Sequence, residues 1–147
     1  MKLLKQSRYA MRALIDLSVH AQHSYVTLNS IALRNHISAQ YLEQIFAKLR
    51  KAGIVKGVKG HQGGYVLGKS PERITVAMIL ETVEGDYRYE KELDEDGGEC
   101  GASITLQKML IEPVNEKLEQ LLNGITLADL QEDYLKNDGY EQSMYYI

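Results

Sequence analysis

Three polar side chains with hydrogen-bonding chemistry recur at one-turn spacing after Ser38. Gln40, Gln44 and Lys48 are four residues apart, so on a helix they share one side. A glutamine amide can form two hydrogen bonds with adenine in the major groove, and lysine can bind guanine or phosphate. Ser38 can cap this helix, and a helix N-terminus can hold a phosphate. The spacing predicts a helix that reads DNA, or alternatively a set of ordinary exposed polar residues.

The apolar residues of the same stretch predict how the helix is held. Their spacing of i, i+3, i+4 and i+7 builds one core face and leaves Tyr41 with the polar residues. They are Leu42, Ile45, Phe46 and Leu49. Upstream, Thr27 can cap a short helix that ends near Asn35, and Gly53 can end the second helix in a left-handed conformation. The sequence therefore predicts a helix-turn-helix with its second helix protruding.

A glycine-rich hairpin follows, over residues 54–67. Its polar and basic residues surround the tip, and they are Lys56, Lys59, His61 and Gln62. Gly63 and Gly64 permit positive φ and remove side-chain bulk, so the backbone can approach a minor groove or a phosphate. A lone histidine such as His61 is usually a surface residue, and we assign it no metal role.

The first predicted helix, from Lys5 to about Gln22, begins with cations. Lys5, Arg8 and Arg12 lie toward its N-terminus, where they oppose the helix dipole unless an anion is bound. Phosphate contact and simple solvent exposure both account for them.

The charge of the chain is divided between its halves. Residues 1–73 carry 12 Lys and Arg against 3 Asp and Glu, a balance of +9, and residues 74–147 carry 5 against 17, a balance of −12. This layout is expected of a DNA-binding module joined to a segment with another role.

No apolar run is long enough to span a bilayer, which predicts a cytoplasmic protein. No nucleophile with a base, pair of ordered carboxylates or phosphate loop is recognisable, so we predict no enzyme activity.

Three stretches together carry a resemblance to a known family. They read KQSRYAMRAL (5–14), YLEQ continuing to LRKAGIV (41–55) and KGHQGGYVL (59–67). The chain resembles the Rrf-two (Rrf2) family of bacterial transcriptional regulators. The resemblance implies a mainly α winged helix-turn-helix with a small β-wing and C-terminal dimerisation helices. It also implies a homodimer on a palindromic operator, with the helix after Ser38 in the major groove and the wing in the minor groove. We expect a repressor of cysteine, sulfur or redox-related genes.

The chain departs from the family pattern at the sensor. Cluster-binding members carry three cysteines there, whereas this chain has Cys100 alone, which disfavours an iron–sulfur cluster and predicts no cofactor. The chain is therefore nearest the CymR-like branch, for which the resemblance implies a protein partner such as a cysteine biosynthesis enzyme. Acidic neighbours should raise the pKa of Cys100. A protein-interaction module and an iron–sulfur or redox sensor acting through Cys100 remain the alternatives.

The sequence predicts three segments. Residues 1–85 form the DNA-binding domain, 86–102 an acidic flexible loop with 7 acidic and 2 basic residues, and 103–147 the dimerisation helices with a docked tail. A stripe of leucines predicts the long dimerisation helix, with a kink or a restart at Pro113. Thr75 can cap a helix that stops at Gly85. Thr126 and Asp129 begin a last helix through Lys136, which the residues at 137–139 should end.

Overall fold

The computed structural model describes residues 3–59, 63–92 and 100–145, with side chains up to 138. The described chain is mainly helical with one two-stranded antiparallel sheet, as the sequence predicted. The helices are α1 (Lys5–His20), α2 (Leu28–Asn35), α3 (Ala39–Lys51), α4 (Val76–Val83), α5 (Gly101–Leu106), α6 (Glu112–Gly124) and α7 (Leu127–Tyr145), and the strands are β1 (Val55–Val58) and β2 (Gly64–Leu67).

Helix α1 lies at the centre of the main core. Its small and branched apolar residues recur at helical spacing, and Ala10, Ala13, Leu14 and Leu17 are fully buried. The helix packs against α2, α3, α4 and α7. A period of 3.6 residues thus gives α1 one broad apolar face, around which the DNA-binding elements assemble.

The helix-turn-helix forms at the predicted caps. Thr27 Oγ1 accepts a hydrogen bond from Ser30 N at 3.2 Å, and Ser38 Oγ accepts one from Tyr41 N at 3.3 Å. Between the two helices His36 adopts φ 54°, a left-handed conformation that ends α2. Ile37 is then buried in the core, which fixes the crossing of α2 and α3.

The wing is pinned to the chain before α2. Strand β1 pairs with β2 in antiparallel register, from Val55 opposite Leu67 to Val58 opposite Gly64. Val26 adds a short third pairing, because its N–H and carbonyl bond the Tyr65 backbone at 3.0 and 2.8 Å. The base of the hairpin is therefore rigidly joined to the helix-turn-helix.

A second, smaller core lies on the far side of α4. It joins Val76, Ala77 and Leu80 of α4 to Tyr87 and to Leu122 of α6. Thr75 caps α4 by accepting from Met78 N at 3.1 Å, as predicted. Helix α4 therefore lies between the DNA-binding elements and the C-terminal helices.

The C-terminal part also reaches the main core through Leu127, which is fully buried there. Leu127 N donates to Ile74 O at 2.7 Å, and Val76 N donates to Ile125 O at 2.9 Å. Residues 1–85 and 103–147 thus share buried side chains. The division of the chain into these segments stays a prediction.

The flexible loop predicted for 86–102 is wrong for residues 86–92. Tyr87 is buried in the second core, and Arg88 bonds Asp86 at 3.0 Å and also Glu119 of α6. The Asn115 side chain bonds both backbone groups of Tyr89, at 2.8 and 3.0 Å. Acidic composition suggested solvation, but one aromatic anchor and one arginine hold the segment on α6. Residues 93–99 lie outside the described part, and α5 already begins at Gly101.

Helix α6 begins at Glu112 with Pro113 in its first turn, which agrees with the predicted restart at the proline. Residues 101–124 are continuously helical, and residues 107–111 form a π-helical turn directly before the proline. Glu112 N bonds the carbonyl of Gln107 in this wider turn. Proline lacks an N–H and its ring clashes with the carbonyl four residues earlier, so a local widening relieves that conflict without ending the helix.

Helix α7 begins as predicted and ends later than predicted. Asp129 N donates to Thr126 Oγ1 at 3.1 Å, and Thr126 N donates to Asp129 Oδ2 at 2.9 Å. The helix then continues through residues 137–139 to Tyr145. A single glycine costs about 1 kcal/mol inside a helix, which does not suffice to stop it. The predicted docking of the tail concerns side chains outside the described residues. No helix of the described chain has the length and hydropathy needed to cross a membrane.

Candidate nucleic-acid interface

The outer face of α3 presents the predicted reading residues. Gln40 and Gln44 are exposed, and Lys51 lies exposed near the same line of the helix. The opposite face, from Leu42 to Leu49, is fully buried against α1 and the wing. The core thereby fixes the rotation of α3 and directs both glutamine amides outward.

Lys48 points to the side of α3 that faces α1 and α4. Its Nζ atom lies 3.2 Å from Gln6 Oε1 and 3.2 Å from the carbonyl oxygen of Val83, the last residue of α4. A cation at a helix C-terminus interacts favourably with the helix dipole. The predicted DNA contact of Lys48 stays a prediction, and the structure gives this ammonium group two partners within the protein.

An aromatic and cationic cluster surrounds the start of α3. The rings of Tyr9 and Tyr41 meet edge to face with 5.7 Å between centroids. Lys5 Nζ and Arg12 Cζ each lie 5.4 Å from the Tyr9 ring centroid. Lys5, Tyr9, Ser38 and Tyr41 line one depression at the N-terminus of α3.

This cluster accounts for the basic start of α1. The predicted residues Lys5, Ser38 and Tyr41 lie together there, whereas Arg8 is exposed on α1 without a described contact to them. The Arg12 guanidinium also donates to the Asn35 carbonyl. The sequence analysis raised phosphate contact for Arg12 but did not place Tyr9 in the site, although the one-turn spacing of Lys5, Tyr9 and Arg12 indicates a shared helix face.

The wing carries its cations on exposed positions. Lys56 and Lys59 are exposed, whereas His61 and Gln62 lie outside the described residues. Gly63 has φ +48°, as a tip glycine was expected to, but Gly64 does not have positive φ. A side chain at Gly64 would collide with the Tyr25 ring, so this glycine permits packing against the chain before α2.

A buried carboxylate, paired with an arginine, fixes α2 against α1. Asp16 is 6% exposed and accepts from Arg34 Nε at 2.9 Å and from Arg34 Nη2 at 2.7 Å. Asn35 Nδ2 adds a third bond to the same carboxylate at 3.1 Å. Hydrogen bonding to Asp16 raises the pKa of Arg34. A carboxylate with three donors holds the first helix of the helix-turn-helix in one orientation.

Cys100 is exposed and immediately precedes α5. The prediction of a raised pKa is wrong. The backbone N–H groups of Ser103 and Ala102 lower the pKa of the Cys100 thiol, and the opposing charge of Glu92 is a smaller effect. N–H groups at a helix start favour an anionic sulfur, a local effect that the acidic composition concealed.

The donor set around Cys100 does not fit an iron–sulfur cluster. Such clusters are held mainly by cysteine thiolates, and the chain contains one cysteine. Among the described residues, no three His, Cys, Asp or Glu side chains are placed to hold a metal ion together.

The site combines a protruding helix with exposed amides, a capped helix N-terminus beside cations and an adjacent basic wing. This combination defines the class of winged helix-turn-helix transcriptional regulators. The chain belongs to the Rrf2 family, described as iron-dependent transcriptional regulators, whose sequence model matches residues 3–133. This confirms the predicted family. Its members are transcriptional regulators and not enzymes, as predicted.

Individual relatives of the chain support this family assignment. The chain is 39% identical over 133 residues to the HTH-type transcriptional regulator IscR of Aliivibrio salmonicida, covering 90% of this chain and 79% of that protein. The structure of CymR, described as the global cysteine regulator of B. subtilis, has a TM-score of 0.76 at 33% identity, covering 90% of this chain and 97% of the other. The IscR structure from T. potens has a TM-score of 0.71 at 36% identity, covering 91% and 88%.

Proposed function

We propose that this chain is a homodimeric, sequence-specific repressor that binds a palindromic operator in the cytoplasm. In this proposal α3 enters the major groove, and the wing approaches the minor groove that flanks it. The observation that carries the proposal is the outward presentation of Gln40 and Gln44 between two cationic flanks. One flank is the start of α1 with Lys5, and the other is the wing with Lys59.

Base readout is tested with DNA selected from a random pool by the purified protein. Gln44→Ala should cost about 1–3 kcal/mol on the selected site and relax the preference at one base pair per half-site. Gln120→Ala removes the same kind of side-chain amide from the exposed side of α6. It should change neither the affinity for the selected site nor the base preference. Failure of the wild-type protein to enrich any sequence would contradict the proposal.

The long helix supports the homodimer. It exposes large apolar side chains on the described protomer, including Met109 at 69%, Leu110 at 50% and Leu121 at 59%. Val114 and Leu118 line a shallow apolar groove beside Leu121. Apolar surface of this kind commonly marks an interface between proteins. Two copies would give two reading helices for the two halves of a palindrome.

Sedimentation velocity tests the dimer. Leu121→Glu should shift the protein toward the monomer and weaken binding to the palindrome, because a charge would be buried in the interface. Asn123→Asp adds a negative charge on the opposite, exposed side of α6 and should leave the dimer intact. A wild-type protein that sediments as a monomer at operator-binding concentrations would exclude this part of the proposal.

We further propose that the protein represses its genes without an iron–sulfur cluster. One cysteine per chain supports this, and the likeness to a global cysteine regulator supports cysteine and sulfur genes as targets. Protein purified without oxygen should lack visible absorbance and stoichiometric iron and sulfide. Expression of a reporter from a target promoter should rise when the gene for this protein is deleted. Pull-down from native lysate tests the alternative of a protein partner such as a cysteine biosynthesis enzyme.

A further inference from the structure

The three cations near the end of α3 point in three directions. Lys48 is turned toward α4, Lys51 is exposed near the line of Gln44, and Arg50 lies toward the wing. Arg50 lies alongside Gly57 of β1: a Cβ built on Gly57 would be 3.9 Å from Arg50 Cδ and 4.0 Å from its Nη1. Arg50 therefore lies in ordinary contact distance of β1, between α3 and the wing.

Arg50 and Lys59 line a cleft that separates α3 from the wing. Asn29, at the start of α2, and Gly63, at the wing tip, lie on its other walls, and Glu43 is the carboxylate among its lining residues. Arg50 is exposed, and within the described part of the chain its guanidinium forms no ion pair or hydrogen bond. The cleft therefore offers two cations to an external group.

The position of the cleft identifies that group. A major groove and the minor groove beside it are separated by one sugar–phosphate strand. If α3 lies in the first and the wing in the second, this strand must pass between them, across the cleft. The inference thus rests on the proposed function. Arginine binds phosphate through a planar fork of N–H groups, often with two hydrogen bonds.

We propose that Arg50, together with Lys59, clamps the backbone phosphate that lies between the two grooves. Arg50 then positions the protein on the duplex and carries no base preference, because phosphates are the same at every step. This role is distinct from that of Gln40 and Gln44. It also makes the spacing between α3 and the wing a determinant of binding register.

Salt-dependent binding tests the clamp. Arg50→Ala should weaken binding to selected and unselected DNA by the same factor, about tenfold or more, and reduce the slope of log K against log salt by about 1. Lys136→Ala removes one positive charge from α7, where it pairs with Glu132 at 3.7 Å, and should change neither quantity. Arg50→Lys should keep the salt slope while losing part of the affinity, and it guards against misfolding of the alanine variant.

Neutral methylphosphonate linkages, placed one at a time in the selected site, locate the contact. The wild-type protein should lose affinity at one phosphate between the two groove contacts of each half-site, and Arg50→Ala should be insensitive there while remaining sensitive elsewhere. Equal sensitivity of both proteins, or a salt slope that matches Lys136→Ala, would overturn the clamp while leaving DNA binding intact. If the wild-type protein selects no DNA, the proposed function fails first.

Discussion

The Nζ atom of Lys48 lies 3.2 Å from the carbonyl oxygen of Val83, so the reading helix is attached to the last residue of α4. The other side of α4 packs with Leu122 of α6 in the second core. Helix α4 therefore contacts both α3 and the C-terminal helices, and the contribution of the Lys48 contact can be tested directly.

Lys48→Ala should lower the free energy of unfolding by about 1 kcal/mol, because a charged hydrogen bond at a helix end is lost. We also expect weaker DNA binding through displacement of α3, with an unchanged salt slope. Urea denaturation and binding titrations measure the two effects. Lys51→Ala serves as the stability control and should unfold like wild type. A slope reduced by about 1 at unchanged stability would instead assign Lys48 a direct phosphate contact.

Asp16→Asn should destabilise the protein by roughly 2–3 kcal/mol. The substitution removes the charge from a carboxylate that is 6% exposed and that accepts three hydrogen bonds, two of them from the Arg34 guanidinium. Urea denaturation provides the measurement. Glu132→Gln breaks the exposed pair with Lys136 and should cost no more than about 0.5 kcal/mol. Equal costs for both variants would mean that the Asp16 pair contributes nothing beyond a surface ion pair.

Gly68→Ala should displace the base of the wing. A Cβ there would collide with the carbonyl oxygen of Gly53, and Gly68 N also bonds Ile54 O at 2.8 Å, so neither strand can easily move away. We expect a loss of about 2 kcal/mol or more in thermal or urea unfolding and weaker DNA binding. Gly124→Ala meets open space at the end of α6 and should be neutral or slightly stabilising. If the Gly68→Ala protein is as stable as wild type, the backbone at the base of the hairpin can shift to accommodate the added Cβ.

The sequence predicts those features that depend on neighbouring residues. The caps at Thr27, Ser38 and Thr75 form as expected, since each bonds a backbone N–H three residues ahead. The apolar period fixes which face of α3 is buried. Features that depend on distant residues were missed. The partner of Lys48 is 35 residues away, and no helical pattern reports it.

The same limit explains the errors in the C-terminal half. Residues 86–92 look like a solvated acidic loop until Arg88 meets Glu119, 31 residues further on. The π-helical turn before Pro113 was not predicted, because the spacing of the leucines does not report a local widening of the helix. The direction of Arg50 was not predicted either, because it depends on how the wing packs beside α3.

Cys100 should react as a thiolate at lower pH than an ordinary cysteine. The N–H groups of Ser103 and Ala102 lower its pKa, so the reactive anion persists as the pH falls below the usual value of about 8.5. The rate of alkylation by iodoacetamide, followed from pH 6 to 10, should reach half its maximum below that value. Ser103→Pro removes the more important N–H donor and should move the midpoint upward. Ser103→Ala keeps that donor and loses only the weaker hydrogen bond of the hydroxyl, so it should move the midpoint upward by less. If the wild-type midpoint lies at or above that of a cysteine peptide, the acidic surroundings dominate and a thiol-based signal at this position loses its physical basis.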